Sequence, residues 1–391
     1  LLVLTGLTMI DGTGKSEEHG VVIVIENGKI VEVGTQVSIP KEAKVKDMSG
    51  KTVIPGIIDS HVHLTFKPCA DPFSTLLNES DSRTVLKSSE HASKTLRSGV
   101  TTVRDLGGKN YVDLDLRDAI NVNEAIGPTM LAAGKPIVMT GGHGWPIAEE
   151  VDSPDEARKA ARNQLKKGVD IVKIMATGGV MTEGVEPGSP QLSTDEMAPA
   201  IEEAHKAGKT TASHAQGTTG IKNAINAGID SIEHGIYLDE EAITMMKDNG
   251  IYFVPTLSAP YWISKKGKEA NIPEHAVKKS DASLKAHRES FKMALEAGVK
   301  IAMGTDAGTP FNYHGYNFYE LVLMVENGMS PLEAIKAGTQ RSAELLNISD
   351  QVGTITPGKD ADLIVLDDNP LDDIYNLEKI YQVFKKGDPV K

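Results

Sequence analysis

The sequence predicts an α/β protein: a (β/α)8 TIM barrel with a small β-sandwich domain formed by the N- and C-terminal segments. Three observations lead there. From Val53 to about Asn347, a helical stretch, a glycine and a β-rich run recur in that order. Polar side chains stand at the C-terminal ends of those runs throughout the series, whereas an open doubly wound sheet would gather them at one switch point. Both chain ends are β-rich, and neither is large enough to bury an apolar face alone.

In chain order, Leu1–Leu4, Val21–Ile25 and Lys29–Val33 read as strands, with turns at Asp11-Gly12-Thr13-Gly14 and at the hairpin signal Asn27-Gly28. The apolar run Val53–Ile58 opens the barrel. Glycines at 99, 127, 168, 208, 228, 250 and 298 then each precede a β-rich run, as expected of a residue that accepts the left-handed turn ending a helix. Ser153-Pro154-Asp155-Glu156, Ser193-Thr194-Asp195-Glu196 and Ser330-Pro331-Leu332-Glu333 supply helix starts, with a capping hydroxyl ahead of acids in the first turn. With the opening run, eight strand–helix units are counted. Strand character returns after about Asn347, with Gly353–Leu366 reading as a turn and then a strand, and 376–385 as another strand. The expected division is therefore residues 1–56 plus 350–391 as a composite β domain and 57–349 as the barrel.

The composition narrows the function. The 391 residues carry a formal net charge of −13 with no basic run, which argues against a nucleic-acid partner. No apolar stretch is long enough to span a bilayer, so no membrane partner is expected. The single cysteine, Cys69, rules out an internal disulfide framework and points to a reducing, cytoplasmic setting, with a disulfide-free periplasmic enzyme as the alternative. A homo-oligomer is expected.

The chemistry gathers at the strand ends. His61 and His63 are two apart on one strand, so both imidazoles face the same way and can grip one metal ion. Later strand ends add Lys173 inside an apolar run, then His214, His234 and Asp306. In a barrel these ends share one mouth. A bare ammonium beside cations is costly to bury. A neutral lysine can instead capture carbon dioxide as a carbamate, whose two oxygens can bridge two cations. The alternative for Lys173 is an ordinary ion pair with Asp170 or Glu203.

The motifs Gly56-Ile57-Ile58-Asp59-Ser60-His61-Val62-His63, Val172-Lys173-Ile174, Ser213-His214-Ala215, Ile232-Glu233-His234-Gly235 and Gly304-Thr305-Asp306 resemble those of the amidohydrolase superfamily, in its binuclear branch with a carboxylated lysine. The resemblance spans nearly the whole chain. It implies that His61, His63 and Asp306 hold a buried metal and that His214 and His234 hold a more exposed one. It also implies that N6-carboxylysine at Lys173 and a hydroxide bridge the two. Zinc is the expected metal because histidines dominate, although manganese or cobalt suits such sites.

Within the superfamily, Gly99–Gly108, the loop Gly141-Gly142-His143-Gly144 and His234-Gly235-Ile236-Tyr237 resemble the imidazolonepropionase-related group that includes Xaa-Pro dipeptidases. That closer resemblance implies substrate contacts at His143 and Tyr237. The implied reaction is hydrolysis of a dipeptide, with Asp306 moving the proton from the attacking hydroxide to the leaving nitrogen. N-acyl amino acids, cyclic amides and organophosphate esters fit the same metal site, and a non-catalytic binding protein on the same barrel is the alternative of another class. The glycine-rich loop Thr177–Gly188 is expected to be a lid or a plain surface loop. The aromatics Tyr261, Trp262, Phe311, Tyr313, Tyr316 and Phe318 are expected either to wall an apolar pocket or to pack the rim loops.

Overall fold

A computed structural model of the chain describes residues 1–390 except Thr182, Glu183 and Val185. Its strands are β1 (Leu2–Met9), β2 (Glu18–Glu26), β3 (Lys29–Gly34), β4 (Lys44–Asp47), β5 (Thr52–Pro55), β6 (Ile57–Val62), β7 (Val100–Asp105), β8 (Thr129–Ala132) and β9 (Ile137–Val138). They continue with β10 (Glu149–Glu150), β11 (Ile171–Met175), β12 (Thr210–Ala215), β13 (Ser231–His234), β14 (Tyr252–Val254), β15 (Leu363–Leu366), β16 (Ile380–Lys385) and β17 (Asp388–Pro389).

The two chain ends build one sheet, ordered β17-β16-β15-β5-β1-β2-β3, with β4 paired to β1. C-terminal β15 lies antiparallel to N-terminal β5, with Ile364 opposite Ile54. Leu4, Leu7, Ile23, Val53, Leu363, Val365 and Phe384 share its buried cluster. Strands from the two chain ends thus pair with one another, and all of these strands belong to one hydrogen-bonded sheet.

The middle of the chain is α/β with parallel sheets. Strands β6-β7-β8 form one, and β9-β11-β12-β13-β14 run in order in the other, with β10 beside β9. Backbone bonds cross both seams. Asp170 N donates to Ala132 O (2.9 Å) between β8 and the residue before β11. At the other seam the run expected as the last barrel strand, Ile301–Asp306, is not a regular strand. It is an extended segment with isolated bridges, Phe253 to Ile301 and Val62 to Ala307. Ala302 N donates to Phe253 O (2.9 Å) and Ser60 N to Met303 O (2.9 Å). Gly304 explains the irregularity: a Cβ there would lie 2.8 Å from the Cβ of His61, so the segment presses its backbone against the site.

The helix signals are realised locally. Ser153, Ser193 and Ser330 each accept a hydrogen bond from the backbone two or three residues into the helix they start, and Ser193 with Glu196 closes a capping box. Gly168 (φ +85°) and Gly298 (φ +75°) end the preceding helices in the left-handed region. Among the described residues, no helix is long and apolar enough to cross a membrane.

Candidate metal centre and active site

The site stands where the parallel strands end. Asp59, fully buried in β6, pins that rim. One of its oxygens accepts from the backbone N–H groups of His61 (3.1 Å) and Thr305 (3.0 Å). The other accepts from the Thr305 hydroxyl (2.6 Å) and Asn317 Nδ2 (2.7 Å). Asp306 N in turn donates to His61 O (2.7 Å). Just beyond, the chain turns sharply through left-handed conformations at His234 (φ +73°), Thr256 (φ +52°) and Asp306 (φ +59°). Non-glycine residues adopt that conformation at a cost of about 1–2 kcal/mol each, and such strain gathers at functional sites. Here it throws His234 and Asp306 over the rim instead of continuing the strand alternation.

Each of the four histidines commits one ring nitrogen to the protein. Nδ1 of His61 donates to Glu233 Oε2 (2.8 Å), and Nδ1 of His63 to Gly107 O (2.8 Å). Nδ1 of His234 bonds the Thr256 hydroxyl (2.7 Å), and Nε2 of His214 donates to Gly178 O (2.9 Å). Because a carboxylate or carbonyl can only accept, the opposite nitrogen of His61, His63 and His214 is left with its lone pair. The rings crowd together, with centroids 5.4 Å apart for His61 and His63, 5.1 Å for His61 and His234, and 4.5 Å for His214 and His234. Asp306 Oδ1 lies 3.4 Å from Nε2 of both His61 and His63. Ligand atoms of His61, His234 and Asp306 fall within 4.8 Å of one another.

Burial sets the protonation states. It pushes His61, His214 and His234 well below the usual histidine range and His63 to about 4. Neutral imidazole is the ligand form. Burial raises the Asp306 carboxyl to about 8 and lowers the Lys173 ammonium to about 8.

Lys173 is 2% exposed, and its Nζ has no hydrogen-bond partner among the described residues. The ion pairs that could have explained it are taken. Asp170 is bound by Arg117 (2.7 Å), and Glu203 by Arg158 (2.5 Å) and Arg162 (2.9 Å). Such an amine among four neutral imidazoles and a carboxylate fits a site for divalent cations better than it fits a packed core.

Residues 52–390 match the Amidohydrolase family. The chain belongs to that family. It is 31% identical to ochratoxinase of Aspergillus niger over 97% of this chain and 83% of that protein. A crystal structure of a Xaa-Pro dipeptidase with methionine bound in its active site superposes with a TM-score of 0.91 at 36% identity, covering 99% of both chains. A prolidase complexed with N-methylphosphonate-L-proline gives 0.92 at 31% identity, covering 100% of this chain and 99% of that one. The protein is a hydrolytic enzyme of the amidohydrolase family.

One cavity of this amidohydrolase contains His61, His63, Lys173, His214, His234 and Asp306, and also His143. His143 packs its ring 4.3 Å from that of His214, close over Gly179, where a Cβ would strike the imidazole at 2.4 Å. Burial lowers its pKa to about 3. Tyr237 is not brought into the lining. Its N–H donates to Gln216 O (2.9 Å) and its carbonyl accepts from Thr218 (2.6 Å). That turn leaves the ring half-buried, where burial and the Glu186 carboxylate raise the phenol pKa.

Of the two expectations for the aromatics, packing among the rim elements is the one that fits, since none of the six is in the cavity lining. Tyr261, Trp262, Tyr316 and Tyr319 pack against one another, mostly edge-on or tilted, with centroids 5.1–6.0 Å apart, and Phe311 meets Tyr313 edge-on. The cavity's apolar wall comes instead from Phe66, Phe73, Ile147, Val180, Ile236 and Ile263. Of the glycine-rich loop after β11, Thr182, Glu183 and Val185 lie outside the described residues, while Val180 and Met181 line the cavity.

Sequence reading missed Gln216, which is 5% exposed in the lining, its side-chain oxygen without a hydrogen-bond partner among the described residues. Its position two residues after His214 was the available signal. It also missed Glu233 and Arg104, whose partners are remote in sequence.

Proposed function

We propose that this amidohydrolase cleaves the amide bond of dipeptides, Xaa-Pro foremost, at a centre of two divalent cations. The observation that carries the reading is the buried, unpartnered amine of Lys173 in one cavity with four histidines and Asp306. A neutral amine adds to carbon dioxide, forming an N–C bond and releasing a proton. The resulting carbamate would be held in common by the two cations. His61, His63 and Asp306 would hold one of them, and His214 and His234 the other. Bound there, the cations, zinc on the nitrogen-rich donor set, supply Lewis acidity and bring the pKa of a water near neutrality.

The chain's own residues do the rest. Asp306 takes a proton from the attacking water and delivers it to the leaving nitrogen, without which an amide nitrogen departs badly. His143, held neutral beside His214, offers a hydrogen bond to the substrate carbonyl or its carboxylate. Phe66, Phe73 and Ile147 receive apolar groups and exclude water. The resemblance to Xaa-Pro dipeptidase and prolidase structures supports the substrate class. A second reading, N-acyl amino acids with a large apolar acyl group, is favoured by the apolar lining and by the ochratoxinase relative.

This reading takes the two parallel sheets as a single closed (β/α)8 ring over 57–349. Residues 1–56 and 350–391 then form a separate composite β domain that wraps its own core.

The test loads the protein with zinc, measures metal content and the mass of the peptide containing Lys173 without acid treatment, and assays Xaa-Pro dipeptides against N-acyl amino acids. Two metals per chain, an added 44 Da from carbon dioxide and turnover of Xaa-Pro substrates are expected. An unmodified Lys173 with no metal and no hydrolysis of either class overturns the reading.

A further inference from the structure

Beneath the histidine cluster lies an ion pair with no exposure on either side chain. Arg104 Nη2 donates to Glu233 Oε1 at 2.8 Å. The second oxygen of Glu233 accepts from His61 Nδ1 at 2.8 Å. The Ser231 hydroxyl donates to Glu233 Oε1 (2.5 Å) and accepts from Arg104 Nη1 (3.2 Å). Arg104 Nε donates to Ser60 O, the carbonyl just ahead of His61. Glu233 and Ser231 are two apart on β13 and face the same way, while the left-handed turn at His234 aims that ligand elsewhere.

We propose that Glu233 and Arg104 are a positioning pair for the metal centre. Glu233 locks His61 in the tautomer that presents Nε2 to a cation, and Arg104 locks Glu233. The inference rests on the binuclear reading above.

A buried ion pair adds little net stability by itself, because desolvation cancels most of the attraction. Packing alone does not call for such a pair, since replacing buried ion pairs by apolar side chains of similar volume is often neutral or stabilising. What the arrangement supplies is directional. The fork of Arg104 holds one carboxylate oxygen, so the other can point only at His61. Carboxylates that take the second N–H of a ligating histidine fix its ring and raise its basicity. The charges also balance. With Glu233 in place, cations above the rim meet a neutral pair. Without it they meet a bare guanidinium. Glu233→Gln therefore weakens metal binding by two routes, a loosened His61 and an uncompensated cation.

The experiment uses the full chain stripped with EDTA and titrated with Zn²⁺ against a chelating indicator, with thermal melting of the same metal-free samples. Glu233→Gln is expected to bind the tighter zinc about 10–100-fold more weakly and to melt lower than wild type. The double variant Arg104→Gln/Glu233→Gln removes both buried charges. It is expected to recover most of the melting temperature while its zinc affinity stays at least tenfold down. A purely structural pair would restore both quantities together in the double variant, and that result overturns the proposal. So does zinc affinity within threefold of wild type in Glu233→Gln. A wild-type protein that takes up no divalent metal would sink the binuclear reading along with the pair, whereas wild-type uptake with unaffected variants would sink the pair alone.

Discussion

Lys173 is expensive where it stands. Its amine is desolvated and unbonded, which costs about 1–3 kcal/mol for a buried polar group left without a partner. Lys173→Met keeps the length of the side chain and removes the unpaired group. Metal-free Lys173→Met should therefore melt no lower than metal-free wild type, while the loaded variant loses its second cation and at least about a thousandfold of its activity. Scanning fluorimetry in EDTA, metal analysis and initial rates read the three quantities separately. Gln216 makes the complementary case for binding. Its backbone is pinned by the Thr177 hydroxyl (3.0 Å) and by Tyr237 N (2.9 Å), so its carboxamide is aimed by the fold. Gln216→Leu should raise KM about tenfold and leave kcat within about threefold, as expected when a contact is shared by bound substrate and transition state. The meeting of His61, His63, Lys173, His214, His234 and Asp306 was legible in sequence because each stands in or at the end of a β-rich run that belongs to one series. Arg104 was not, because its partner is 129 residues away and no local pattern pairs them.

At the scale of elements, the turn after β6 is held from two sides. His91, on the helix Asp81–Arg97, donates through Nδ1 to Leu64 O (2.8 Å), and His314 donates through Nε2 to Phe66 O (2.9 Å). Their rings stack at 4.4 Å, and Phe66 stacks on His63 at 4.9 Å. The helix thus reaches the site through a turn that carries a wall residue. Burial lowers the pKa of both histidines, His314 strongly. A histidine whose folded pKa lies below its unfolded value of about 6.5 contributes stability that is intact above pH 6.5 and lost as pH falls. The ligand histidines of the metal-free protein titrate in the same sense, so the informative quantity is a difference. His91→Asn/His314→Gln keeps an N–H for each carbonyl and removes both titrations. Its stability should fall less steeply than wild type between pH 6.5 and 5, by up to about 1.4 kcal/mol per pH unit for each histidine removed. Urea titrations in EDTA at fixed pH measure this, and parallel slopes would refute it. At this same scale the sequence left the aromatics undecided between wall and rim. Crowding in one dimension places Tyr261 and Trp262 near Tyr316, but only the helices Ser258–Lys266 and Tyr319–Glu326 decide that the rings face each other rather than the cavity.

Across the whole molecule, β15 is the strand through which the C-terminal end holds the catalytic part. Its four residues are buried on both faces. Leu363 and Val365 join the cluster of the terminal sheet, while Ile364 and Leu366 join the large cluster under the parallel sheets. Its neighbour β5 divides the same way, with Val53 in one cluster and Ile54 in the other. The contact is tight enough that a Cβ on Gly99, just before β7, would lie 2.7 Å from Ile364 Cδ1. The alternation of side chains along β15 is therefore a partition between two cores, which a run of four apolar residues cannot reveal by itself. Cutting side chains on opposite faces tests whether the two cores melt together. Leu363→Ala and Ile364→Ala should each cost about 2–5 kcal/mol, the range for large buried aliphatics replaced by alanine. If the shared strand couples the cores, both variants keep one transition, lowered to a similar extent, with calorimetric and van't Hoff enthalpies equal. If Leu363→Ala instead splits the melt and leaves the metal-bound half at its wild-type temperature, the terminal sheet is an appendage that the active site does not need.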